Sequence, residues 1–326
     1  MSLTRQDMNQ LPAFRLRHLA VIALLILLIT GSTGCQKSSS SSSNSSNNND
    51  STSKSGNGSL LKQEVLMAAN ASGVTIDSIV TSIQYNSNNL VTGYQENSIL
   101  TDSGATVTTN LSYTVTYSGN LPSSLTGTFA ETAQDGSLNE SATIAINTTF
   151  QSSGGQIVSY VQRTNTISGT VFIPPTQITG NDSALLTYDA SGNLSAYNIY
   201  NIPNGSSTYE PFSETTYTFS SGNLTQAVEN VYVVGIQTAT YTTVYQYNSK
   251  LAASPLFLYP GIAAIITNDL SQTTETETGL IPQTIVTAYN TTYNSANQPA
   301  STAATLTITP SNTGGIASEK ITYTYQ

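Results

Sequence analysis

Residues 188–194 read Tyr188-Asp189-Ala190-Ser191-Gly192-Asn193-Leu194, and this stretch decides the fold. Asp189 and Gly192 hold the first and fourth positions that a type I turn favours. The Asp side chain can bond backbone N–H groups ahead of it, and Gly accepts positive φ. Tyr188 and Leu194 therefore end one strand and begin the next. The same chemistry recurs at Tyr293-Asn294-Ser295-Ala296-Asn297-Gln298-Pro299, where Asn297 stands in for the glycine because Asn tolerates the left-handed region. Shorter versions are Phe219-Ser220-Ser221-Gly222-Asn223-Leu224, Tyr117-Ser118-Gly119-Asn120-Leu121, Tyr85-Asn86-Ser87-Asn88-Asn89-Leu90 and Tyr247-Asn248-Ser249-Lys250-Leu251. A looser copy runs from Phe150 to Ile157 around Gly154-Gly155. The closing leucines lie 31 residues apart from Leu90 to Leu121, 30 from Leu194 to Leu224 and 27 from Leu224 to Leu251. Such a period is that of a hairpin array.

Between these turns the chain alternates with period two. Ile144, Ile146 and Phe150 share one face, Tyr241, Tyr245 and Tyr247 another, as do Leu306 with Ile308 and Ile321 with Tyr323 and Tyr325. Thr, Ser, Asn and Gln fill the opposite faces, and only 8% of the chain is charged. Alternation of β-branched and aromatic residues with polar ones is the half-buried antiparallel pattern, and the aligned tyrosines read as core. The expected fold is all-β: one large curved or barrel-like antiparallel sheet of successive hairpins over residues 60–326, with little helix. The one helical candidate is Leu60 to Asn70, with Ser59 as its cap. Leu251 to Ile266 breaks the pattern, because Pro255, Pro260 and Gly261 prevent a long regular element. Its apolar centre, Leu256, Phe257, Leu258 and Tyr259, reads as a segment that covers the core, or as a loop lining a cavity or touching a partner.

On these turn motifs, on Tyr245-Gln246-Tyr247-Asn248-Ser249-Lys250 followed by Pro255, and on the closing Ile321-Thr322-Tyr323-Thr324-Tyr325, residues 75–326 resemble YD-like repeat lipoproteins of Bacteroidota. Some of these are classed as domains of unknown function with a porin-like fold. The resemblance implies a curved or closed antiparallel sheet and brings no activity with it.

The N-terminus reads as an address followed by a tether. Arg15, Arg17 and His18 precede the apolar run Leu19 to Thr30, which ends at Gly31-Ser32-Thr33-Gly34-Cys35. A basic region, a short apolar core and a small-residue site make a secretory signal over residues 1–34. Gly34-Cys35 resembles a bacterial lipobox, which implies acylation of Cys35, the only cysteine. Residues 36–59 carry 12 Ser among 24 positions and cannot bury enough apolar surface to order themselves. As a flexible coil this tract reaches roughly 27 Å. The expected location is the outer membrane, lipid-anchored, with the surface or periplasmic face left open.

Starting from Cys35, the chain holds 6 basic and 17 acidic residues, a net charge of −11. That surface repels phosphate backbones, so nucleic acid is not an expected partner. No histidine follows Cys35, which removes His-based triads and His/Cys zinc sites. No catalytic, cofactor-binding or metal-binding residue is assigned, and no cofactor is expected. The acidic residues read as scattered through turns. Asp135-Gly136, Asn181-Asp182 and Asn268-Asp269 lack the spacing of a calcium loop and read as solvated turn residues. Asp50-Ser51-Thr52, Asp77-Ser78-Ile79 and Asp182-Ser183-Ala184 resemble an O-glycosylation acceptor of the same bacteria, with only the first expected to be reachable.

The expected function is therefore a lipid-anchored, non-enzymatic binding or structural module of the envelope, whose ligand could be a protein, a glycan or an apolar small molecule. The alternatives are a carrier enclosing an apolar ligand, a carboxylate hydrolase with two neighbouring acids of raised pKa, and a pore. The pore fits the alternation but not a lipid anchor or a chain without Trp.

Overall fold

The computed structural model describes residues 60–325 apart from 103, 137, 170–180, 203–207, 234, 253–255, 260–261, 265–266, 280–281 and 311–315. The expected signal (residues 1–34), Cys35, the expected tether (36–59) and Asp50-Ser51-Thr52 lie outside the described residues. The first strands are β1 (Leu61–Asn70), β2 (Thr75–Tyr85), β3 (Val91–Asp102), β4 (Ala105–Ser118), β5 (Leu121–Asp135) and β6 (Leu138–Ser153). Next come β7 (Gln156–Gly169), β8 (Asn181–Tyr188), β9 (Leu194–Asn201), β10 (Glu210–Ser220), β11 (Asn223–Val233) and β12 (Ile236–Leu251). The chain ends with β13 (Leu256–Tyr259), β14 (Ile262–Ala264), β15 (Asn268–Gly279), β16 (Gln283–Tyr293), β17 (Pro299–Thr309) and β18 (Ile316–Tyr325). Sixteen of these form one closed antiparallel barrel in chain order, and β13 and β14 form a separate two-stranded sheet. The all-β expectation holds, and the sheet is closed.

Closure explains the one element that departs from expectation near the N-terminus. Residues 61–70 are strand, not helix: β1 pairs with β18 on one edge and with β2 on the other. Both edges are thus hydrogen-bonded, and that tertiary pairing outweighs a modest local helix preference.

The recurring turns all fall at one end of the barrel, together with the start of β1 and the end of β18. At Asp189 the expected geometry is present. Gly192 N–H donates to the Asp189 carbonyl, and the Asp189 carboxylate accepts from the backbone N–H groups of Ser191 and Asn193. Asn297, at φ 58°, and Asn89, at φ 62°, occupy the left-handed position in their own copies. One copy differs. Tyr247 to Leu251 is no tight turn, because β12 continues through it and the chain returns only at Asn268, after the β13–β14 hairpin.

Each of the seven hairpins at this end carries the same irregularity. The ladder slips by one residue at Gln84/Tyr85, Thr116/Tyr117, Gln151/Ser152, Thr187/Tyr188, Thr218/Phe219, Gln246/Tyr247 and Thr292/Tyr293. Such bulges increase the local twist and gather at barrel rims. Five rim phenols then donate to the carbonyl of the first or second residue of a neighbouring strand: Tyr85 to Leu61, Tyr117 to Val91, Tyr188 to Ile157, Tyr247 to Leu224 and Tyr325 to Pro299. Phe219 and Ser152 hold the equivalent place without a phenol. The repeated Tyr-turn motif is thus a rim of hydrogen-bonded latches.

Candidate functional site

A closed wall crowds side chains on its concave face and splays them on its convex face. The buried phase of each strand is therefore the lumen phase. On β4 it comprises Ala105, Val107, Thr109, Leu111, Tyr113, Val115 and Tyr117, while Thr106, Thr108, Asn110, Ser112, Thr114 and Thr116 face out. On β17, Thr302, Ala304, Leu306 and Ile308 face in, and Ser301, Ala303, Thr305, Thr307 and Thr309 face out. The outer wall is thus a Thr/Ser/Asn lattice. Exposed apolar side chains on the strands are Met67, Ile99, Leu185, Phe212 and Val244, from five separate strands, and the pair Val233 and Ile236 where β11 meets β12. A depression of about 390 Å³ on the outside of β2–β5 is lined by Gln84, Gly93, Gln95, Ser112, Thr114 and Thr128 and carries no charge.

The lumen has two halves. Towards the turn end it is filled by Ile83, Val115, Leu125, Phe150, Tyr160, Leu186, Leu194, Tyr197 and Leu224. Leu125 and Leu224 are fully buried. The Tyr160 and Tyr197 hydroxyls bond one another there.

Farther along the same inner faces come carboxylates. Glu64, Asp77, Glu96, Glu131, Asp182, Glu229, Glu275, Glu277 and Glu319 all occupy the buried phase of their strands. Asp182 lies in β8 and Asp269 in β15, where it accepts from the Tyr293 hydroxyl at 2.6 Å, so neither is a solvated turn residue. The sites of the two other acceptor-like triplets, Ser78 and Ser183, lie within strands.

The carboxylates form tiers across adjacent strands. Thr81 sits between Glu64 and Glu96, Ala68 between Asp77 and Glu319, and Tyr241 between Glu229 and Glu277. Tyr94 donates to Glu96 at 2.6 Å, Ser98 to Asp77 at 3.2 Å and Gln283 to Glu277 at 3.1 Å. The partners are hydroxyls and amides. All four basic side chains among the described residues, Lys62, Arg163, Lys250 and Lys320, are exposed.

Burial accordingly raises the pKa of Asp77, Glu96, Glu131, Glu229, Glu275 and Glu319, and pushes Asp182 up to about 6. Neighbouring negative charge adds to the rise at Glu96, Glu229, Glu275 and Glu319. Among the described residues, no group of three or more acidic, His or Cys side chains is placed to hold a metal ion.

Of the residues singled out from sequence, Leu256, Phe257, Leu258 and Tyr259 form β13, paired with β14 in a two-stranded sheet separate from the barrel sheet. The stem of this insertion is fixed to the neighbouring turn. The Asn223 side-chain carbonyl accepts from the N–H groups of Thr267 and Asn268, and the Thr267 hydroxyl donates to the Gly222 carbonyl. The insertion and the carboxylate half of the lumen therefore lie towards opposite ends of the barrel. The carboxylates had a sequence signal: each shares the phase of apolar neighbours, as Glu131 does with Leu125 and Phe129, and Glu319 with Ile321 and Tyr323.

No family model matches the sequence, and neither does any curated protein. Among solved structures the chain is similar to a porin-like protein from Bacteroides uniformis ATCC 8492, at 13% identity and a TM-score of 0.48, over 82% of this chain and 98% of that one. It is also similar to a porin-like protein from Bacteroides vulgatus ATCC 8482, at 10% identity and a TM-score of 0.40, over 80% of this chain and 97% of that one.

Proposed function

We propose that this chain is a non-enzymatic binding barrel of the cell envelope, tethered through Cys35 and residues 36–59, that stands in water and holds its ligand in the lumen. The polarity of the wall carries this reading. A membrane-spanning barrel needs an outward apolar band about 25 Å tall flanked by aromatic girdles. Here the outer wall of β4 is Thr, Ser and Asn, while Tyr94, Phe150, Tyr160 and Tyr197 line the inside. Lipid would meet a wall of hydroxyls and amides, only some of which bond one another as Ser112 does Thr128, and water solvates such groups far better than hydrocarbon does. The secretory signal and the Ser-rich tract supply the address and the reach.

Planar-bilayer recording tests the reading. Protein purified without detergent should stay monodisperse and add no conductance steps to the bilayer. Dependence on detergent together with stepwise conductance would make it a pore.

One observation favours a second reading. Glu275 and Glu277 lie two residues apart on the inner face of β15, and burial and the Glu277 charge raise Glu275. Neighbouring acids of this kind are what a carboxylate hydrolase needs. Turnover of chromogenic glycosides that is lost in both Glu275→Gln and Glu277→Gln would establish it, and absence of turnover in the native protein removes it for glycosides.

A further inference from the structure

We propose that the hairpin of β13 and β14 is a lipid-surface contact, which docks the tether end of the barrel on the bilayer and turns the carboxylate half of the lumen away from it. This rests on the water-standing barrel tethered through Cys35 proposed above, and adds to it a second membrane contact and an orientation.

Every residue of the two strands is apolar or aromatic: Leu256, Phe257, Leu258 and Tyr259 in β13, and Ile262, Ala263 and Ala264 in β14. They pair as Leu256 with Ala264, Phe257 with Ala263 and Tyr259 with Ile262. Successive strand residues point to opposite faces, so both faces of this ribbon are apolar however it is turned. Between Lys250 and Asp269 the sequence carries no charge. Among the described elements, neither strand runs alongside a barrel strand. The lumen at this end is already filled by Val115, Leu125, Phe150, Tyr160 and Leu186. A two-stranded ribbon is marginal by itself in water, and one apolar on both faces gains from an apolar surface that the barrel strands do not supply.

The path of the preceding chain identifies that surface. β12 reaches the turn end at Leu251 and β15 leaves it at Asn268, and the Ala252 N–H donates to the Thr267 carbonyl at 3.2 Å, so the hairpin joins the barrel at that rim. β1 begins at the same rim with Leu61, which brings residues 36–59 to it. An acyl group on Cys35 therefore keeps the hairpin within reach of lipid, roughly 27 Å for a coil of that length. At so high an effective concentration a weak contact is enough.

The distribution of charge agrees. At this rim the exposed Lys62 and Lys250 stand against the exposed Asp189 and against Asp269, which the Tyr293 hydroxyl engages, so the rim is close to neutral. Asp77, Glu131, Asp182, Glu277 and Glu319 lie towards the other end, which an anionic lipid surface would repel.

Flotation of the processed full chain carrying Cys35→Ser, which cannot be acylated, with phosphatidylethanolamine/phosphatidylcholine vesicles tests the proposal. The chain should float with the vesicles. Phe257→Asp and Leu258→Asp should each lower the partition coefficient about tenfold, the scale of one apolar side chain withdrawn from lipid. Leu185→Asp, at an exposed position of β8, should leave it unchanged. A second measurement does not depend on the Asp variants folding. An environment-sensitive dye on Leu258→Cys should shift its emission to the blue when vesicles are added, and the same dye on Ala71→Cys, in the exposed β1–β2 turn at the other end, should not. Undiminished partition in both Asp variants, or equal shifts at the two labels, would overturn the proposal. Self-association that Phe257→Asp abolishes, without flotation, would make the hairpin a contact between copies and overturn it as well. Absence of both flotation and conductance would remove the docking contact alone, whereas flotation with conductance steps would remove the water-standing barrel along with it.

Discussion

The thermal midpoint should rise on acidification from pH 7.5 to pH 5, by roughly 3–6 °C, opposite to ordinary acid denaturation. The cause is the set of lumen carboxylates. Asp77, Glu96, Glu131, Asp182, Glu229, Glu275 and Glu319 all have a folded-state pKa above the unfolded one. A carboxyl raised in this way binds more protons in the native state than in the unfolded chain. Its contribution is fully present below the unfolded pKa and is lost as pH rises through the folded value. For Asp182 that window runs from 3.8 to about 6. Allowing for its partial exposure, this one residue is worth on the order of 2 kcal/mol. Asp189 has the opposite sign, since its turn hydrogen bonds lower its pKa, but it is one group against seven. Calorimetric scans at half-unit pH steps would check this. A midpoint that falls steadily below pH 7 would mean that these acids are paired or hydrated in solution.

Gly127→Ala should lower stability by about 3 kcal/mol, or roughly 6–10 °C, and Gly93→Ala should change it little. Both glycines lie in strands of the same wall. Gly127 points inward beneath the Tyr113 ring, and an added Cβ would collide with the Ser112 carbonyl oxygen and lie 2.5 Å from Tyr113 Cδ1. Backbone cannot yield, and Tyr113 is held against Tyr94 with ring centroids 6.1 Å apart. The cost exceeds the 0.5–1 kcal/mol that Ala ordinarily gains over Gly in backbone entropy. At Gly93, which points outward, the new Cβ would meet the far end of the Gln84 side chain at 2.8 Å, and that amide can swing away. Thermal melts of the two variants decide the matter. Equal small losses would show that Tyr113 is not packed on Gly127.

The barrel was legible in sequence because its two signals are local. A turn such as Asp189 to Asn193 closes through bonds within five residues, and alternation on β4 or β17 is visible residue by residue. Ring closure was not, since whether β1 meets β18 depends on summed twist and bulges such as those at Tyr85 and Tyr117. The same non-local pairing turned an apparent helix at Leu61–Asn70 into a strand. The acidic lumen lay half hidden. Glu96 and Glu131 share the phase of Tyr94 and Phe129, yet nothing in sequence says which face of a curved sheet is concave. The hairpin of β13 and β14 was marked by Pro255, Pro260 and Gly261, but the Asn223 bonds that fix its stem link residues 44 and 45 positions apart.

The most direct test of a water-standing barrel is chemical labelling of its outer wall. Thr114→Cys, Thr128→Cys and Thr305→Cys each place a thiol on an exposed, outward position. Sonicated envelope vesicles would be treated with a membrane-impermeant maleimide, with the native protein, whose only cysteine is Cys35, as background. All three positions should label to the same extent with and without detergent. Labelling that appears only after detergent is added would mean that lipid covers the wall and the barrel spans the membrane.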